Sequence, residues 1–322
     1  LKESSDALES RFQILSLDGG GIKGIFSAAV LSAIEEDLST NVVDHFDLIT
    51  GTSTGGIIAL GLGIGMRPRE IVEFYLSKGP AIFNKMWGLR WLQHWIRRKF
   101  SQTPLKQALE SCFKDKLLGD CTKRIVIPSY NVGDDDVYLF RTPHHERLRR
   151  DLKVPLWKIA LATSAAPTFF PSCRHIDRLR LIDGGVWANN PSMVGVIEAY
   201  GTLGVPMNAI KVFSIGTTDA LASRKNRLDW GGKLPWVTGN DAVDIIMRGQ
   251  SIGVNNQTTF LLGQDNVVRW DPKVAVSEFS LDGIHKADAL IAKAAHYSRI
   301  HIPRFKDIFV DHIAAKYEPI KS

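Results

Sequence analysis

The chain is poor in cysteine. Its three, Cys112, Cys121 and Cys173, form an odd, scattered set with no CxxC pair, which argues against a disulfide framework and against a structural zinc site. Such usage fits a reducing compartment. The longest apolar stretch beside a motif, residues 56–66, is short and glycine-rich. A spanning helix needs about 20 apolar residues, so none is expected. Residues 1–10 are polar and mixed in charge, without the pattern of a secretory signal. Internal repeats, low-complexity tracts and a convincing domain boundary are also missing. The excess of one charge is small, because 40 Lys and Arg against 34 Asp and Glu leave a net +6. That balance suits a membrane surface or a nucleotide but is too mild to single one out. What is present is 322 residues at 44% hydrophobic, enough to bury roughly 75% of the unfolded surface without cross-links.

Apolar runs and turn residues alternate along the chain. Residues 12–17 read as a buried strand bounded by Asp18 and a glycine cluster. Residues 25–38 carry helical apolar spacing, and 46–50 read as a second strand running into a tight turn. Residues 56–62 read as a buried helix, and Pro68 stands where a helical first turn should begin, ahead of residues 70–76. Further strands are expected at 124–132, 137–140, 179–182, 211–215 and 266–270. Further helices are expected near 155–162, 191–200, 241–249 and 283–297. Strands alternating with helices predict a layered α/β fold with a largely parallel sheet. Residues 223–240 read as a long surface loop.

Three motifs could carry chemistry. Gly51-Thr52-Ser53-Thr54-Gly55, between a strand and a helix, matches GxSxG, a turn so tight that Gly51 and Gly55 must lack side chains. It pushes Ser53 out above the sheet at a helix N-terminus, where amides favour a developing negative charge. The second motif, Asp18-Gly19-Gly20-Gly21-Ile22-Lys23-Gly24, has two readings. Gly19, Gly21 and Gly24 spell GxGxxG, a pyrophosphate cradle. Alternatively, Gly20 and Gly21 offer unhindered amides to an acyl oxyanion. Glu35, Glu36 and Asp37 come too early, and Asp47 too late, for the ribose-binding acid of a dinucleotide fold. The third motif, Asp183-Gly184-Gly185, follows an apolar strand. It is either a carboxylate at the active edge of an open sheet or a turn aspartate capping local amides.

Together, in this order, the three motifs resemble those of the patatin-like phospholipases. Ser164-Ala165-Ala166-Pro167-Thr168-Phe169-Phe170-Pro171 is similar to another block of that family. The resemblance covers residues 12–216, and 217–322 would complete the same single domain, 1–322. It implies a three-layer α/β/α patatin-like fold with a largely parallel central sheet. It further implies a lipid acyl hydrolase with a Ser53–Asp183 dyad and an oxyanion hole at Gly19, Gly20, Gly21 and Gly24. Gly51 and Gly55 would shape the elbow, and Gly184 and Gly185 the aspartate turn. No metal and no organic cofactor is implied. The expected substrate is a membrane phospholipid, met by peripheral contact at the inner membrane surface of the cytoplasm, with no DNA or RNA polymer as partner. The family includes bacterial effectors switched on by cyclic oligonucleotides in anti-phage defence. The chain is similar to these in length and in its unmatched C-terminal part, which implies a cyclic oligonucleotide activator.

Other readings stay open at this point. The order Ser53, Asp183, then a histidine also suits a triad, with His285, His296 or His301 as base. A dinucleotide-binding oxidoreductase, or an inactive nucleotide-binding module, could be built on the first glycine loop. Trp87, Trp91 and Trp95 fall on one helical stripe with Arg97 and Arg98 near its end. This pattern fits a membrane anchor, a lid, or a cap helix packed on the core. The basic cluster from Arg141 to Arg150 fits a phosphate-binding patch or a solvated basic face.

Overall fold

The computed structural model describes residues 11–83, 100–220, 241–275, 279 and 284–320. Seven strands follow the expected pattern: β1 (Phe12–Leu17), β2 (Leu48–Gly51), β3 (Arg124–Asn131), β4 (Asp136–Arg141), β5 (Leu181–Asp183), β6 (Ile210–Ile215) and β8 (Val267–Trp270). A short β7 (Asp219–Ala220) pairs with β9 (Lys273–Val274), and β8 lies between them in sequence. The main sheet runs β4-β3-β2-β1-β6-β8, with β5 added on β3. Pairings from β3 through β8 are parallel, whereas β4 and β5 are antiparallel to β3. The sheet is therefore mixed but mostly parallel.

Period-two alternation assigns each strand residue to a layer. Leu15 and Leu17 of β1, Ile125 and Ile127 of β3, and Phe213 and Ile215 of β6 face one core. Ile14, Val126, Ile210 and Val212 face the other. The helices over the first core are α1 (Gly24–Leu38), α2 (Thr54–Gly63), α3 (Pro68–Ile82), α4 (Gln102–Phe113) and α5 (Leu156–Thr163). The second core is covered by α6 (Gly185–Ala188), α7 (Ser192–Ile197) and α8 (Asp241–Leu262). Helix α9 (Ala287–Phe305) returns to the first face and packs on α1. Three layers result because both faces of a mostly parallel sheet are apolar and need covering.

Several elements differ from the sequence reading. Helix α3 continues to Ile82 with Pro80 inside it, and α8 runs to Leu262 rather than ending near 249. Helix α4 was not expected, although Leu105, Ala108, Leu109 and Phe113 line its buried face and Ser101 caps it through Thr103 N–H. The tryptophan stripe with Arg97 and Arg98, and the loop expected over 223–240, lie outside the described residues.

The first core is densest around Phe213, which packs against Phe46, Trp270, Phe305 and Phe309 with ring centroids 4.9–6.1 Å apart. These rings fasten α9 to the middle of the sheet. From there the chain crosses the strand entrances. His312 Nε2 meets Asp47 Oδ2 at 2.7 Å, and Ala314 N–H donates to the Asp44 carbonyl at 2.7 Å. Phe213→Ala should cost about 3–5 kcal/mol, because the cavity left behind cannot close between sheet and helix. Urea unfolding checks this; a loss below about 1 kcal/mol would show that the aromatic cluster does not hold α9.

Candidate active site

The turn from β2 into α2 puts Ser53 at φ +55°, ψ −120°. A residue with a side chain held there costs about 1–3 kcal/mol. The neighbours leave no alternative path. A Cβ on Gly51 would lie 2.2 Å from the Gly55 carbonyl oxygen, and one on Gly55 would lie 2.2 Å from that of Leu17. Thr52 Oγ1 donates to the Ala188 carbonyl at 2.6 Å. Ser53 N–H donates to Thr163 Oγ1 at 3.0 Å, and that hydroxyl donates to the Pro128 carbonyl at 2.7 Å. Helix α2 behind the turn is buried along its whole length, which opposes any unwinding of the elbow.

Asp183 reaches the same place from the opposite direction. Strand β4 occupies one edge of β3. On the other edge, β2 pairs with Arg124 to Val126 and β5 pairs with Ser129 to Asn131. The two strands therefore run towards each other along β3, and their carboxyl ends converge. Asp183 N–H donates to the Ala165 carbonyl, and Ser129 Oγ donates to that of Ile182, which pins the strand end. Ser53 is 7% and Asp183 2% exposed.

Burial pushes the Asp183 carboxyl up to about 7, and hydrogen bonds from the Ser53 hydroxyl and Gly185 N–H pull it only part of the way back. The Gly185 bond to Oδ1 is well formed at 2.7 Å. The Ser53 contact is looser: among the described residues no donor meets full hydrogen-bond geometry at Asp183 Oδ2. Serine and carboxylate thus face each other with the bond between them not fully closed.

The glycine loop lies across from this pair. Gly20 and Gly21 line the cavity beside Ser53, and among the described residues neither amide has a protein acceptor. Gly19 and Gly24 are corrections to the expected oxyanion hole. Gly19 N–H is spent on the Asn189 carbonyl at 3.0 Å. Gly24 N–H is spent on the Gly21 and Ile22 carbonyls. Gly24 serves packing instead, since a Cβ there would lie 1.8 Å from Thr54 Cγ2. Gly184 packs against the Pro128 carbonyl and Gly185 opens α6.

A cavity of about 230 Å³ extends from Ser53 and Asp183. Its walls are apolar: Ile57 from α2, Phe74 and Ile82 from α3, Leu105 from α4, and Phe169 and Phe170 from the Ser164–Pro171 block. Ile246 and Met247 of α8 complete it from the C-terminal part. The sequence reading missed both, and it missed Asn189, whose Nδ2 donates to Ser251 Oγ of α8. The signal for Asn189 was a polar pair, Asn189-Asn190, directly after the Asp-Gly-Gly motif.

The alternative readings find little support here. Among the described residues no histidine lines the cavity. His285 and His296 are exposed, and His301 packs against Tyr297 with centroids 4.2 Å apart and the rings tilted by 41°. Strand β2 leads into the serine elbow, not to the acid of a dinucleotide fold. Much of the basic cluster is neutralised: Arg141 and His144 both bind Glu198, and Arg150 pairs with Asp151 over the Tyr138 ring.

Comparison with known proteins agrees. The family model described as patatin-like phospholipase matches residues 15–195. A protein of Pseudomonas aeruginosa named cGAMP-activated phospholipase is 33% identical over 79% of this chain and 76% of its own. One of the same name from Escherichia coli is 33% identical over 84% of each chain. Among solved structures, VipD from Legionella pneumophila aligns over 92% of this chain and 67% of its own at 13% identity, with a TM-score of 0.48. A family match over more than half the chain, joined to relatives at one-third identity over most of it, establishes that the chain belongs to the patatin-like phospholipase family.

Proposed function

We propose that this protein hydrolyses acyl esters of membrane phospholipids with Ser53 as nucleophile and Asp183 as its base. One observation carries the reading: a strained serine and a buried carboxyl raised to about 7 share the end of an apolar cavity. An ordinary carboxylate is too weak a base at neutral pH, and burial brings Asp183 into the useful range. The Ser53 oxygen attacks the ester carbonyl carbon while its proton passes to Asp183 Oδ2. The carbonyl oxygen gains the charge and takes the Gly20 and Gly21 amides. Collapse breaks the ester C–O bond, and the leaving alkoxide takes the proton from Asp183. Water then gives a proton to Asp183 and attacks the acyl-serine. Collapse frees the fatty acid, and the proton returns to Ser53 Oγ. The apolar walls hold the acyl chain and keep bulk water away from the carboxyl.

The regulation is inferred from the relatives. Two of them are named cGAMP-activated phospholipases, and both align well beyond residues 15–195, the family-model match. We extend that activation to this chain, with cGAMP binding favouring the competent site and hydrolysis taking place at the inner membrane surface. Among the described residues no helix is long and apolar enough to cross a membrane; in this reading the lipid is met by peripheral contact.

Ser53→Ala and Asp183→Asn should each lower phospholipid hydrolysis by at least about 10³-fold. Fatty-acid release from vesicles, with folding followed by circular dichroism, checks this; a folded variant keeping a tenth of the activity would contradict the dyad. The pH profile carries its own sign. The base must be ionised, so the rate should rise with pH to a plateau above about 7 and fall about tenfold per unit below it. For stability the sign is reversed. A carboxyl raised on folding favours the folded state below its unfolded value near 3.8, and that contribution is lost as pH climbs to about 7. Asp183→Asn should therefore melt higher than the parent at pH 8 while being inactive. Added cGAMP should raise both the melting temperature and the hydrolysis rate; no change in either would remove the regulatory part of the proposal.

A further inference from the structure

The glycine loop is held by a residue far away in sequence. Arg269 lies on β8, beyond residues 15–195 that the family model matches. In register, Ser16, Ser214 and Arg269 stand side by side across β1, β6 and β8. The Arg269 side chain reaches back over β6 to the end of β1. Its Nη1 donates to Asp18 Oδ1 at 3.0 Å and to Ser214 Oγ at 2.7 Å. Its Nη2 donates to Asp18 Oδ2 at 2.7 Å and to Asp271 Oδ2 at 2.7 Å. Asp18 is 3% exposed, and the Arg269 side chain 15%. The two oxygens of Asp18 are thus gripped as a pair, the arrangement in which a guanidinium fixes orientation as well as distance.

Asp18 is the residue before Gly19-Gly20-Gly21. The loop beyond it is held from the same side. Thr217 Oγ1 donates to the Gly19 carbonyl at 3.3 Å, and Lys23 Nζ donates to the Thr218 carbonyl at 3.2 Å. The Thr217 side chain also fills the space where a Gly20 side chain would stand. From the other side, Asn189 anchors the Gly19 amide and Thr54 Oγ1 donates to the Gly21 carbonyl at 2.6 Å. Remove the guanidinium and the Asp18 and Asp271 carboxylates lose the cation between them, so the Asp18 side chain loses its clamp, although its N–H still donates to the Ile215 carbonyl at 3.0 Å.

We propose that Arg269 is a positioning residue for the hydrolysis: by clamping Asp18 against Asp271 and Ser214, it fixes the direction of the Gly20 and Gly21 amides towards the oxyanion. The inference rests on the Ser53 reading above. It gives the C-terminal part a place in the chemistry, although Arg269 itself touches neither substrate nor Ser53. An oxyanion donor matters only as charge develops, so a misdirected amide lowers turnover and leaves ground-state binding alone.

The test compares the parent with Arg269→Gln, Arg269→Lys and Asp18→Asn. Each is assayed, with and without cGAMP, for kcat and KM on phospholipid vesicles. Each is also assayed for affinity towards a fatty-acyl trifluoromethyl ketone, which forms a tetrahedral oxyanion on serine, and towards a non-hydrolysable diether phospholipid. In Arg269→Gln and Asp18→Asn, kcat and ketone affinity should fall together by about 10- to 100-fold. KM and diether affinity should hold within about threefold, and Arg269→Lys should fall between Arg269→Gln and the parent. Unchanged kcat and ketone affinity would overturn the proposal. So would a parallel loss of all four quantities in the folded Lys variant, which would make the clamp merely structural. A parent enzyme that neither hydrolyses phospholipid nor binds the ketone would overturn the Ser53 reading and this inference with it.

Discussion

One edge of β3 is shared by two strands that run towards each other, and the site exists because of that sharing. Strand β2 pairs along the first part of the edge and β5 along the last, so a serine and an aspartate 130 positions apart in sequence arrive at one point. Neither residue has to be carried there by a flexible loop. Each sits at the end of a strand whose backbone is tied to β3, which is the kind of rigid support a reactive pair needs. A register shift of one residue in β5 would turn Asp183 to the opposite face of the sheet.

The surroundings hold two unfavourable features in place. Ser53 keeps a backbone conformation that few residues with side chains adopt, and Asp183 keeps a carboxyl out of water with one oxygen that lacks a well-formed donor among the described residues. Both tend to relax, and both are restrained by neighbours: the buried α2, the Thr163 and Ser129 hydroxyls, and the Ala165 carbonyl. The aromatic packing of Phe213 with Phe46, Phe305 and Phe309 supplies stability at a distance from the chemistry. Strain at the site and ordinary packing elsewhere are what a functional centre in a stable fold requires.

Much of this was legible in the residues. The strand–turn–helix around Ser53 could be read because the steric demand on Gly51 and Gly55 is local. The layered fold could be read because β1, β3 and β6 alternate or run apolar over lengths that suit strands. The proximity of Ser53 and Asp183 came from the family resemblance, since no local rule says which edge of β3 receives β5. The glycine loop was read too broadly: spacing shows four glycines, but only the folded backbone shows that Gly19 and Gly24 have already spent their amides. Arg269 was illegible for another reason. An arginine in a short strand near the C-terminus looks like any solvated charge until β8 is seen to lie two strands away from Asp18.

The central claim is that Asp183 makes the Ser53 oxygen nucleophilic. Its most direct test is the rate at which a fluorophosphonate reacts with the folded protein, with the modified peptide mapped by mass spectrometry. The account predicts a single adduct, on Ser53, formed about 10²–10⁴ times more slowly when Asp183 is replaced by Asn. An adduct on another residue, or equal rates at Ser53 with and without the carboxylate, would contradict it.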